Sequence, residues 1–154
     1  MRRALSACLA AAVALAAASG ASARPAESGI ELLGGSGRVV LNLRGAVLGG
    51  LDSGRIAVTV KPGRAPQVLV QGADWQQQLP SGTTVFGGEG IRFRVFRGAW
   101  KVVIQGSGIN ASAVGRGVVR LDGTGRYSLG GGAYQAWPAQ PLTVRLGTRT
   151  GGRQ

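Results

Sequence analysis

The chain has 154 residues, no histidine and a single cysteine, and carries a formal charge of +12. Without histidine the usual general base, the usual zinc ligand and every Ser–His pairing are excluded. Cys8 lies in a segment that reads as an export leader, so the exported chain would hold no thiol and no disulfide, and its core alone must keep it folded.

Met1-Arg2-Arg3 gives a positive start, Ala4 to Ala18 is almost unbroken in apolar residues, and Ala21-Ser22-Ala23 supplies the small residues that signal peptidase requires. Residues 1–23 therefore read as a secretory signal peptide. An uncleaved anchor is the competing reading, but the run is mostly weakly apolar alanine and barely long enough to span a bilayer. Leu5-Ser6-Ala7-Cys8 spells a lipoprotein box, yet it precedes the apolar run instead of following it, which argues against lipidation. Residues 24–29 read as a linker, 30–147 as one domain and 148–154, with paired glycines, as a flexible tail.

Beyond the leader the apolar residues alternate. Arg38 to Arg44 puts Val39, Leu41 and Leu43 on one face, and Arg55 to Val60 does the same with Ile56, Val58 and Val60. Ala73 to Ser81, which contains Trp75-Gln76-Gln77-Gln78, has room for one helical turn at most. Ile91 to Val95 turns Ile91, Phe93 and Val95 one way and Arg92 and Arg94 the other. Lys101 to Gln105, Val118 to Leu121, Arg126 to Leu129 and Leu142 to Leu146 repeat the scheme. Period two with one wet face predicts half-buried antiparallel strands.

Glycine punctuates these runs. Gly37, Gly54, Gly72, Gly90, Gly108 and Gly125 are separated by 17, 18, 18, 18 and 17 residues. A β-solenoid with coils of about 18 residues would explain that ladder, but it would stack the same apolar columns in every coil. Two positions after the six glycines stand Val39, Ile56, Asp74, Arg92, Asn110 and Tyr127, which do not match. The favoured expectation is an all-β antiparallel sandwich or barrel-like meander of about eight to ten short strands joined by glycine turns. The solenoid is the alternative.

Lys101 to Val114, KVVIQGSGINASAV, imitates the strand and glycine turn of a dinucleotide-binding unit. Gly115-Arg116-Gly117 would stop any following helix early, and Val118 opens the next run ten residues after Gly108. A strand–helix–strand unit needs roughly 30 residues, so no dinucleotide is expected and G-S-G reads as a hairpin turn.

Neither lysine, Lys61 or Lys101, stands in S-x-x-K, so what chemistry remains belongs to carboxylates. A glycan hydrolase could pair two of Asp52, Asp74, Glu89 and Asp122 about 5–10 Å apart. Each sits beside glycine, however, where a carboxylate caps a turn. The acids are too scattered for a calcium loop. No catalytic residue, metal or cofactor is expected.

Binding is the stronger reading. Arg92 and Arg94 share an outward face, Lys101 would extend it across a hairpin, and Arg120 and Arg126 would continue it. Such a stripe suits phosphate or carboxylate polymers. Sixteen arginines to two lysines, amid abundant alanine and glycine, is also what GC-rich coding writes. Trp75 and Trp137, beside loop signals, are candidate sugar-stacking rings, with core packing as their other use. The expectation is an exported bacterial protein of periplasm, surface or exterior, without enzymatic activity, binding an anionic envelope polymer or glycan. A carboxylate hydrolase and a filament-forming or adhesin-like solenoid are the rivals.

Overall fold

A computed structural model describes residues 29–147. The leader, nearly all of the linker and the tail lie outside them. The described chain is all-β: 80% strand, no helix, one open antiparallel sheet. No helix among the described residues is long and apolar enough to cross a membrane. The strands are β1 (Gly29–Val60), β2 (Gln67–Gln71), β3 (Trp75–Gln78), β4 (Thr83–Leu129), β5 (Gln135–Ala136) and β6 (Leu142–Leu146).

Two of the six run to 32 and 47 residues, which corrects the expected set of short strands. The reason is that most glycines bend a strand without ending it. Gly106-Ser107-Gly108 lies inside β4, and the chain continues as strand to Leu129, so the hairpin expected there is absent.

The register explains the architecture. One ladder runs from Ile30↔Leu129 through Val39↔Leu121 to Val60↔Trp100. β2 and β3 extend it with Gln67↔Phe96, Trp75↔Gly87 and Gln78↔Thr84. Residues 29–129 are thus one long hairpin. Its tip is closed by the Leu79 N–H donating to the Thr83 carbonyl (2.8 Å) and Gly82 N–H to Leu79 (3.1 Å). The other edge of β1 also pairs with β4, as Val39↔Ile104, Leu51↔Ile91 and Thr59↔Thr83. Val39 therefore lies between Leu121 and Ile104, residues 17 apart in β4. The hairpin is wound on itself with that period. β5 and β6 add a last row through Arg126↔Ala136 and Val119↔Val144.

Each turn crosses two sides. On the first side the rows are, in order, 142–146, 117–121, 38–44, 99–105, 55–60, 83–87 and 75–78. On the second they are 126–129, 29–33, 109–114, 46–51, 91–96 and 67–71. Inward residues stack across rows, because period two keeps one face of every row pointing the same way. Leu121, Val39, Ile104 and Ile56 make one column, and Val119, Leu41, Val102 and Val58 another. These eight, with Ile30, Val47 and Val95 from the second side, are at most 3% exposed and belong to one core. Full burial of such a side chain contributes about 1.5–3 kcal/mol. Trp100 is wholly buried, its indole N–H donating to the Gly45 carbonyl at 3.2 Å.

Glycine is needed where rows turn from one side to the other. Gly123, Gly37, Gly106, Gly54 and Gly88 pair in a line across five rows. A Cβ on Gly106 would collide with the Ser53 carbonyl, and one on Gly37 with that of Asp122. The glycines of a parallel coil would align at a constant spacing; here Gly37 and Gly54 align with Gly88, Gly106 and Gly123, not with Gly90, Gly108 and Gly125. Alternate rows run in opposite directions, so the return strand is read backwards. Its inward residues stand two positions before the corner glycines, at Phe86, Ile104 and Leu121.

Candidate binding site

The outward face of the second side is where polar and apolar groups converge. Glu31, Ser112, Leu48, Arg94 and Leu69 follow one another across five adjacent rows. Beside them run Asn110, Gly50, Arg92 and Gln71. Gly50 gives the middle row no outward side chain beside Leu48, so the surface sinks there. The result is a groove of about 590 Å³ lined by all of these residues and Tyr134. Four inter-row steps at about 4.8 Å make it roughly 19 Å long, running perpendicular to the strands.

The ends of the groove differ in charge. At one end Arg92 and Arg94 are exposed. The ladder neighbours of Arg94 are Leu48 and Leu69, and those of Arg92 are Gly50 and Gln71, so no carboxylate neutralises either across the sheet. Leu48 and Leu69 are 56% and 50% exposed and form apolar walls. At the other end the Tyr134 hydroxyl donates to Glu31 Oε2 at 2.8 Å. The Arg126 guanidinium lies 5.8 Å from the centre of the Tyr134 ring. That hydrogen bond, first, then loss of solvent and the Glu31 charge raise the Tyr134 hydroxyl above its usual pKa of 10.0; Arg126 opposes them. Between the ends Asn110 is held in place: its Oδ1 accepts from the Gly34 N–H and its Nδ2 donates to the Gly108 carbonyl, both at 3.0 Å.

The five cations expected to form one stripe are all exposed but divide between the two sides. Arg92 and Arg94 stand in the groove, and Arg126 stands at its rim through Tyr134. Lys101 and Arg120 are on the first side, Lys101 between Asn42 and Thr59, Arg120 between Val40 and Thr143. The expected hairpin from Arg94 to Lys101 is replaced by a bend at Arg97 and Gly98, both at φ 68°, that carries the strand round to the other side. The first side has cations of its own, among them Arg38, Arg55 and Arg145. Arg55 is engaged by Gln105 Oε1, from Nε at 3.2 Å and Nη2 at 2.8 Å.

The tryptophans separate too. Trp75 is 48% exposed, its ring lying over Gly87 in edge strand β3. Trp137 is 7% exposed and packs on Gly35 and Gly125, a core position that leaves no ring face for a sugar. Its indole nitrogen has no hydrogen-bond partner.

Asp52, Asp74, Glu89 and Asp122 sit at the corners, with Asp74 and Glu89 side by side. Asp52 lies against Gly108, Asp74 accepts from the Glu89 N–H at 3.2 Å, and Asp122 pairs across the ladder with Arg38. Glu31 is the one acid lining the groove, and Asp122 the one acid in a shallower depression at the glycine corner. No three His, Cys, Asp or Glu side chains cluster among the described residues.

Glu31, Leu48, Leu69, Asn110, Ser112 and Tyr134 complete the groove and were not singled out from the sequence. They come from five separate stretches, which the two ladders and the Tyr134–Glu31 hydrogen bond bring together. Comparison with protein-family models, with curated proteins and with solved structures gives no match to this chain.

Proposed function

We propose that the chain is an exported, non-enzymatic binding module of the bacterial envelope or exterior that holds an extended anionic polymer in the groove of its second side. The leader at residues 1–23 would deliver it, and the wound hairpin would serve as a rigid, barrel-like scaffold. One observation carries the reading: two arginines without ladder carboxylates open onto a groove long enough for several polymer units. Guanidinium groups match phosphate and carboxylate oxygens with paired N–H donors, so either polymer chemistry fits. The high net charge would draw such a polymer in from a distance.

Titration of the full chain with polygalacturonate and with polyphosphate tests this, at low and raised salt. Hydrogen bonds to charged groups contribute about 1.5–3 kcal/mol each, so Arg92→Ala/Arg94→Ala should weaken binding by at least about tenfold. Lys101→Ala/Arg120→Ala, which removes the same charge from the other side, should change it far less. Equal losses in the two variants would reduce the interaction to net charge, and binding indifferent to salt and to both variants would end the reading.

A further inference from the structure

The sheet is open, and its two ends are built differently. At one end the last row is β5 and β6; Pro138 and Pro141 interrupt the chain between them, and Arg145 sits within β6. Prolines and charged side chains are how natural sheets keep an edge from pairing with another strand. At the other end the last row is β2 and β3, each paired with β4 on one edge only. Neither carries a charge or a proline, and every residue of β3 is exposed. In β3 the bond beside its end sets the pattern. Leu79 donates to Thr83, and alternation along an antiparallel ladder then points the backbone groups of Gln76 and Gln78 away from β4.

We infer that the β2/β3 edge is a self-association surface, joined in antiparallel fashion to the same edge of a second copy about a twofold axis. The occupant follows from charge. A chain at +12 repels its own copies, and β1, β4 and β6 all carry arginine. Strands without charge can meet themselves with little of that penalty, since Asp74, the one charge between them, accepts from the Glu89 N–H of β4. The outward N–H groups of Gln76 and Gln78 would find backbone partners there. The guarded β5/β6 end also decides the stoichiometry. Head-to-tail stacking would need that end and would grow filaments, whereas an edge paired with itself closes at two.

Sedimentation velocity of the full chain across the micromolar range tests the inference. The expected result is a concentration-dependent doubling of mass that stops at the dimer. Gln76→Pro removes one outward N–H without touching a bond to β4, and Gln76→Lys/Gln78→Lys places like charges on both sides of the twofold. Both variants should sediment as monomers, with melting curves close to that of the parent. A parent that stays monomeric, a series of larger species, or a dimer that survives both variants would each overturn the inference. Polymer binding in the groove is measured separately and does not depend on this outcome.

Discussion

The two sides of the winding have the same inward face and different outward ones. Inside, Ile104 on the first side and Ile91 on the second are equally buried, each in a column of aliphatic residues. Outside, the first side carries a half-buried column, Val40, Val103, Ala57 and Val85, in which every row keeps its side chain. The second side loses an outward side chain at Gly50, and a groove opens in its place. The inward pattern therefore maintains the fold on both sides, and departures from the outward pattern create the site.

The largest expected effect falls where the two sides join. Gly106 has φ 158°, close to extended, so its requirement is space: any Cβ there meets the Ser53 carbonyl. Gly106→Val should push the rows apart at the corner and cost more than about 4 kcal/mol, a large part of the 5–15 kcal/mol that holds a typical domain. Gly63, in open space outside the ladder, is the matched control. Gly63→Ala is strained by its φ of 120° but touches nothing, and should cost only about 1–2 kcal/mol. Denaturant unfolding of the two variants checks the difference. Similar losses would mean that the corner stack is not a close approach of backbones.

A smaller effect tests the likeness of the inward faces. Ile104→Val and Ile91→Val each delete one buried methylene and should each cost about 0.5–1.5 kcal/mol. A loss confined to one variant would show that the two sides are not one cooperative core.

The inward half of this comparison was legible in the sequence, and the outward half was not. Alternation alone placed Val39, Leu41, Leu43, Ile56, Val58, Ile91, Phe93 and Val95 on buried faces, because period two is a local property of each strand. It placed Val60 there too, but at the end of β1 that side chain is 45% exposed. The same logic turned Arg92 and Arg94 outward. What alternation cannot supply is which row lies beside which. The winding puts Glu31 next to Ser112 and Leu48 next to Arg94, and no local signal encodes either neighbour. Lys101 was misplaced for a related reason: the bend at Arg97 and Gly98 looks, in sequence, like any other glycine turn. The glycine ladder did hold the winding period, but only a reversed reading of the return strand reveals it.

Gly50→Ala sharpens the outward contrast at little structural cost. Gly50 is not in a left-handed conformation, and a Cβ there would stand 3.7 Å from Arg92 Cγ and 3.0 Å from the Ile91 carbonyl. The row must yield by a few tenths of an ångström, so the stability loss should stay near about 1 kcal/mol. The methyl group would sit in the groove beside the Arg92 stem. Binding of polygalacturonate should fall several-fold while the melting curve barely moves. Unchanged binding would show that the polymer does not enter the groove at its middle row.

The smallest effect lies at the acidic end of the groove, where Tyr134 is exposed and the outcome is read as a titration. Protonated Tyr134 donates to Glu31; the phenolate would lose that bond and face the carboxylate charge. The hydroxyl is therefore raised above 10.0 in the folded chain, against a weaker opposing pull from Arg126. A group raised on folding adds stability that is complete below its unfolded pKa, near pH 10, and is lost as pH rises through the folded value. The Tyr134–Glu31 clasp should thus hold throughout the neutral range and open only in strong alkali. Phenolate absorbance measured against pH checks this, with Glu31→Ala as the comparison. One tyrosine should titrate at higher pH in the parent than in the variant. Superimposable curves would mean that Tyr134 does not close this end of the groove.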